Sequence, residues 1–372
     1  MRQKILITGG AGFIGSHLAD RLIREGCRVR VLDNLSVQVH GNRQRVPEYL
    51  NKDVEFIRGD VRDEAAVARS LKGINTVFHF AAAVGVGQSM YRIDEYTSVN
   101  NLGTAVLLKS LLAHPVEKLV VASSMSIYGE GLYRNQAGEL VQTGERDLEQ
   151  LKRGIWEASD AQSNPLEPVA TPENKTPALA SVYALSKYDQ ERMCLMMGRT
   201  YGIPTIALRF FNVYGSRQSL SNPYTGVLAI FASRYLNDKP PLIFEDGQQR
   251  RDFVSVNDVA QACLLALRSS KVDVGVFNIG SGRSLTILEV AEALAKAMGK
   301  EDLKPVITGK YRIGDIRHCF ADITTAQAVL GYRPQITFEE GLTELSDWLE
   351  GKAAEDRVEI AAAELAVRGL TL

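Results

Sequence analysis

Tyr183 and Lys187 stand four residues apart in Tyr183-Ala184-Leu185-Ser186-Lys187, a spacing that puts a phenol and an ammonium on one face of a helix. A cation beside a phenol lowers its pKa toward the working pH and turns it into a usable general base. Such a base can take the proton of a hydroxyl while the carbon beneath it gives up a hydride. Ser124, in Ser123-Ser124-Met125-Ser126-Ile127-Tyr128-Gly129, offers a hydroxyl to a substrate oxygen whose charge changes as the hydride moves. The chemistry these residues spell out is redox at a carbinol, and it needs an electron acceptor.

The acceptor is read from the start of the chain. Gly9, Gly12 and Gly15 have G-x-x-G-x-x-G spacing, with Phe13 and Ile14 opening the helix that follows. Glycine there permits a tight turn and close backbone approach of a pyrophosphate, which rests on the helix N-terminus. Asp33 closes the next apolar run; a carboxylate at that place accepts from the adenosine ribose and repels a 2′-phosphate, so NAD is expected rather than NADP. Asn34, Asp60 and Val61 complete the expected adenosine end, and Ala81, Ala82 and Ala83 offer small side chains where a dinucleotide crosses a sheet edge. Asn100 joins this set as a brace for the neighbouring loop.

These residues must be positioned by a scaffold. Short β-branched runs at residues 4–8, 28–33, 54–58, 76–80 and 119–123 alternate with amphipathic stretches. That order predicts an α/β fold, a doubly wound parallel sheet of Rossmann type. The sheet and its helices are expected over residues 1–205 as an NAD-binding domain. Residues 206–350, with helices near 225–236, 256–267 and 286–298, are expected to form a smaller, discontinuous substrate lobe with some segments returning to the sheet. Residues 131–177 break the pattern with a polar, Gln-, Glu-, Asn- and Pro-rich stretch, read as a surface insertion and a lid over the sugar pocket. Residues 351–372 read as a helical tail on the surface or against a partner.

Bulk properties exclude several classes. Lys plus Arg number 43 against 44 for Asp plus Glu, a net charge of -1 that speaks against nucleic-acid or membrane-surface partners. No apolar run is long enough to span a bilayer. Cys27, Cys194, Cys263 and Cys319 are isolated, so no disulfide framework is expected. Their isolation and a first strand reached with no leader pattern fit the cytoplasm. His40, His79, His114 and His318 make no metal spacing, and no metal is expected.

Taken together, Thr8 to about Trp348 resembles the extended short-chain dehydrogenase/reductase superfamily and its nucleotide-sugar epimerases and dehydratases. The resemblance implies Tyr183 as base and acid, Lys187 as its electrostatic tuner and ribose ligand, and Ser124 as the hydroxyl partner. It implies a nucleotide-diphosphate sugar as substrate, with Asn212 in Leu208-Arg209-Phe210-Phe211-Asn212-Val213-Tyr214-Gly215 holding the diphosphate. Arg251 in Arg251-Asp252-Phe253-Val254 and Arg317 in Gly314-Asp315-Ile316-Arg317 are its expected phosphate clamps. The 4,6-dehydratases carry an acidic pair after the hydroxyl residue and decarboxylating relatives a glutamate; Met125 and Ser126 stand there instead. Oxidation followed by re-reduction remains, with 4-epimerisation as the simplest outcome. A one-way ketoreductase or dehydrogenase and a non-catalytic NAD-binding regulator are the alternatives. Tyr224-Thr225-Gly226 and the segment 244–253 are similar to a subgroup of rhamnose 4-epimerases. That subgroup often carries cysteine pairs in the insertion, and Asn135-Gln136 and the stretch 158–163 lack them. The family also implies a homodimer built through helices near residues 94–113 and 181–201.

Overall fold

The computed structural model describes residues 3–42, 45–224 and 226–371. Seven parallel strands form its central sheet: β1 (Lys4–Thr8), β2 (Arg28–Asp33), β3 (Glu55–Arg58), β4 (Thr76–His79), β5 (Lys118–Ser124), β6 (Thr205–Phe210) and β7 (Val274–Ile279). Their spatial order is β7-β6-β5-β4-β1-β2-β3, which reverses direction between β1 and β4. β1 explains the two-sided burial. Its Ile5 and Ile7 join Leu18, Leu22 and Val259 on one face, while Leu6 joins Val67, Leu107 and Leu195 on the other. Side chains that alternate across a strand bury both faces only if helices cover both.

Those helices are α1 (Phe13–Arg24), α2 (Glu64–Leu71), α3 (Gly103–Ala113), α4 (Val182–Tyr201) and, on the α1 side, α6 (Val256–Arg268). Ser181 caps α4, its Oγ accepting from the Ala184 N–H at 3.1 Å, and Gly202 ends it at φ 66°. One turn of π-helix, Thr97–Leu102, runs into α3 and places Asn100 inside the molecule. The second lobe is built from α5 (Val227–Leu236), α7 (Ile287–Ala297) and α8 (Phe338–Leu349) around Phe231, Tyr235, Leu294, Leu342 and Leu345. Between its parts, α6 and β7 return to the central layers.

One segment differs from its sequence reading. Residues 131–177 carry a three-stranded antiparallel sheet, Leu132–Arg134 between Leu140–Gln142 and Glu167–Val169, and they do not roof the sugar pocket. None of them lines the main cavity. They are bound to the second lobe instead: the Gly131 N–H donates to the His318 carbonyl at 2.7 Å and the Thr171 N–H to the Phe320 carbonyl at 2.8 Å. Arg146 pairs with Glu130 at 3.3 Å and Glu245 at 2.7 Å. The tail, α9 (Val358–Val367), lies across the mouth of that cavity on its own chain. Thr225, part of the Tyr-Thr-Gly motif, lies outside the described residues.

Candidate active site

One cavity of about 2370 Å³ runs along the carboxyl edge of the sheet and into the gap between the lobes. Its first half is shaped by glycine. Gly9 has φ +69°, and a Cβ there would meet the Ala81 backbone nitrogen at 2.8 Å; a Cβ on Gly15 would sit 2.6 Å from the Gly9 carbonyl oxygen. Only glycine allows that turn. Gly12 caps α1 without a side-chain hydrogen bond, so the first N–H groups of α1 face the cavity edge with their positive end open to an anion. Gly9, Gly12, Phe13, Ile14 and Gly15 all line this space.

At the tip of β2, Asp33 accepts from the Ala11 N–H at 3.0 Å and the Leu35 N–H at 2.9 Å. Its carboxylate tethers two loops and still borders the cavity, as does Asn34. Asp60 is engaged as well: Arg62 holds it by two bonds of 2.8 Å and Asn34 by one of 2.9 Å. The Arg62 guanidinium keeps this carboxyl down at about 2. Val61, Ala81, Ala82 and Ala83 line the wall opposite. Asn100 does not reach the cavity; its Oδ1 accepts from the Ala83 N–H at 2.8 Å while its Nδ2 donates to Ser186 Oγ at 2.8 Å. It therefore fixes the loop after β4 to α4 and acts on a cofactor through that loop. The glycine turn, the uncapped helix and the β2 carboxylate together fit a dinucleotide such as NAD, which they would hold at pyrophosphate and ribose.

β5 delivers Ser124 and α4 delivers Tyr183 and Lys187 to the same cavity. Ser124 Oγ is 2.8 Å from Ser126 Oγ and accepts from the Ser126 N–H at 3.2 Å. Burial pushes the Tyr183 phenol above its ordinary pKa, and the Ser124 hydroxyl, hydrogen-bonded to it, draws it back. Lys187 Nζ is turned to the Ala122 carbonyl at 2.6 Å and Gln190 Oε1 at 2.7 Å. Burial lowers that ammonium to about 8. Gln190 continues inward, its Nε2 donating to Thr104 Oγ1 at 2.9 Å; His79 lies between Thr104 and Thr8, 2.8 Å from each hydroxyl. Gln190 is a residue the sequence reading missed, one turn beyond Lys187 on the same helix face.

The far half of the cavity holds the expected substrate contacts, with one correction. Asn212 lines it, and its buried Oδ1 has no hydrogen-bond partner. Arg251 also lines it, anchored by Nη1 to the carbonyl of Arg317 at 2.9 Å. Arg317 does not line it. Its guanidinium is 0% exposed and is taken up by Glu157, Glu245 and Asp246, at 2.5, 2.9 and 2.6 Å. Three carboxylates leave no free fork for a phosphate. Arg312, two residues before Gly314, faces the cavity instead, its guanidinium 4.4 Å over the Phe244 ring. Among the described residues, no group of three or more His, Cys, Asp or Glu side chains is placed to hold a metal.

Residues 5–280 match the model of the NAD dependent epimerase/dehydratase family. The chain is 35% identical over 351 residues to the dTDP-L-rhamnose 4-epimerase of Burkholderia thailandensis, covering 93% of this chain and 95% of that protein. It superposes on a UDP-glucose 4-epimerase of Thermotoga maritima solved with UDP-glucose, with TM-score 0.76 and 33% identity over 94% of this chain and 99% of the other. The Thermus thermophilus UDP-glucose 4-epimerase solved with NAD gives TM-score 0.72 and 34% identity over 94% and 100%. A seven-stranded parallel sheet, a glycine turn for a pyrophosphate, the Ser124, Tyr183 and Lys187 constellation and these likenesses lead to one assignment: the chain belongs to the NAD-dependent epimerase/dehydratase family and is an extended short-chain dehydrogenase/reductase.

Proposed function

We propose that this NAD-dependent nucleotide-sugar 4-epimerase acts on a dTDP-linked 6-deoxyhexose, interconverting dTDP-L-rhamnose with its C4 epimer dTDP-6-deoxy-L-talose. The observation that carries the reaction type is the turn after β5, where Ser124 is followed by Met125 and by Ser126, whose hydroxyl bonds to that of Ser124. Neither residue supplies the carboxyl that an elimination or decarboxylation uses. The sugar reading rests on the rhamnose 4-epimerase relative and on apolar Val84, Val86 and Met125 in the cavity that holds Tyr183, which suit a methyl at C6 better than a hydroxymethyl or carboxylate.

NAD, held by the glycine turn and Asp33, would supply a hydride acceptor and donor for C4. The chain's own residues handle the proton and the anchor. Tyr183, as phenolate, takes the proton of the C4 hydroxyl and later returns it, with Ser124 donating to the oxygen as it becomes a carbonyl. Lys187, fixed by the Ala122 carbonyl and Gln190, holds positive charge beneath that exchange. Arg251, Arg312 and the side-chain amide N–H of Asn212 grip the nucleotide diphosphate, leaving the sugar free to turn its other face. Retention of both cofactor and nucleotide is what separates an epimerase from a ketoreductase on the same fold.

The chain is proposed to work in the cytoplasm as a homodimer. Its four cysteines are unpaired, and among the described residues no helix is long and apolar enough to cross a membrane. Leu102 and Leu112 around α3, and Leu185 and Met196 on α4, are about half exposed, an apolar stripe suited to a second copy. Sedimentation of the purified chain as a monomer would remove the dimer. The test of function is NMR of the sugar ring protons after incubation with dTDP-L-rhamnose, UDP-glucose and UDP-galactose, without added cofactor. A C4 epimer from dTDP-L-rhamnose supports the reading; turnover only on added NAD or NADH replaces it with a ketoreductase.

A further inference from the structure

Residues 351–371 form a wall of the cavity that holds Tyr183 and Ser124. They are fastened at three places. Near the start, buried Arg234 donates to Asp356 at 3.0 Å and Glu359 at 3.1 Å, and the Glu355 N–H donates to Ser221 Oγ at 3.0 Å. At the end, the Ile313 N–H donates to the Leu370 carbonyl at 3.2 Å. In the middle, Glu364 accepts from Tyr91 Oη at 2.9 Å and Tyr224 Oη at 2.6 Å, and the two phenols lie 2.7 Å apart. The Arg368 guanidinium sits 4.2 Å over the Tyr91 ring.

The latch closes on the loop that serves the catalytic tyrosine. In residues 84–91, Ser89 Oγ accepts from the Tyr183 N–H at 3.0 Å. A Cβ on Gly85 would meet Tyr96 Oη at 2.9 Å and Tyr224 Cβ at 3.0 Å. The Tyr96 ring stands edge-on to Tyr183 at 6.3 Å. Glu364 therefore bears on the same strip of backbone that seats Tyr183. Yet the helix is lightly held: of its ten residues only Ala361 and Leu365 are buried. A short polar clasp over few apolar contacts is an element that can open and close.

We infer that residues 351–371 are a lid of the substrate site, latched by Glu364 onto Tyr91 and Tyr224, which keeps the oxidised sugar in place between the two hydride transfers. The inference rests on the proposed epimerase reading. In the forward half-reaction the C4–H bond breaks, its hydride passes to NAD and the hydroxyl proton to Tyr183, leaving a 4-keto sugar. If that sugar leaves through an open mouth, one equivalent of reduced cofactor stays behind for each molecule lost.

The test compares the full chain, its Glu364→Ala variant and a chain ending at Glu359, which keeps both carboxylates that neutralise Arg234. With dTDP-L-rhamnose, both altered proteins should retain NAD and show a KM raised about tenfold, the loss of some 1.4 kcal/mol of binding. Reduced cofactor should accumulate by its near-ultraviolet absorbance, matched by free 4-keto sugar in NMR, while the full chain shows neither. An unchanged KM with no reduced cofactor in Glu364→Ala overturns the lid even if the shortened chain fails to fold. A full chain that epimerises no nucleotide sugar strikes the function reading instead. In that case, the lid stands or falls on whether bound dTDP slows tryptic cleavage at Arg357 and Arg368.

Discussion

Tyr183, the proposed base, stands in a site whose burial favours the neutral phenol. Tyr183→Phe is expected to lower turnover by roughly two to four orders of magnitude while NAD stays bound, checked by epimer formation and by the cofactor released on denaturation. Asp33→Ala should weaken NAD binding by about 1–3 kcal/mol in calorimetric titration, because it removes a ribose acceptor and strands the Ala11 and Leu35 N–H groups. Ser124, Tyr183, Lys187 and the glycine turn were legible in the sequence because each sits in a short local pattern whose spacing has a chemical meaning. One of the two expected arginines, Arg251, was legible as well; the other was not. Arg312 and Arg317 flank the same Gly314-Asp315 pair, and nothing in linear order says which one three distant carboxylates will claim.

Elements whose burial is decided locally were equally readable. The apolar runs of β1 to β5 and the periodic helices stand close to where the sequence put them, since a strand covered on both faces must be apolar at successive positions. The insertion and the tail changed places as lids because their partners are remote: Glu130 and Glu157 meet residues more than 150 positions on, and Glu364 meets Tyr91 across the chain. Replacing Arg317 with Met should expose this dependence. It leaves Asp246 without its cation, Glu157 with His318 alone and Glu245 with Arg146 alone, an expected loss of about 3 kcal/mol. Thermal melting would register that loss, and proteolysis should begin in residues 131–177. Gly9→Ala should be damaging in a different way, emptying the protein of NAD because its Cβ would strike the Ala81 backbone.

At the scale of the whole molecule, two buried histidines contribute a pH dependence. Burial lowers His17 to about 4 and His79 to about 3, whereas the unfolded chain titrates them near their ordinary 6.5. Between those values the unfolded state binds protons that the native state refuses, so stability falls as pH drops below 6.5 and is intact above it. Each histidine accounts for about 2 kcal/mol by pH 5. Melting temperatures taken from pH 7 to pH 5 should decline, and His79→Gln should flatten that decline. The cluster around Arg317 has a further meaning in time. Synthesis runs from the amino end, and the early strands can begin pairing as soon as they exist, yet Glu130 lacks the backbone N–H groups it accepts from, and Glu157 its counter-charge, until Arg317 and His318 have been made. The insertion must therefore wait, half-formed, for nearly the whole polypeptide, and a nascent chain halted before Arg317 should offer it to proteases and chaperones alike.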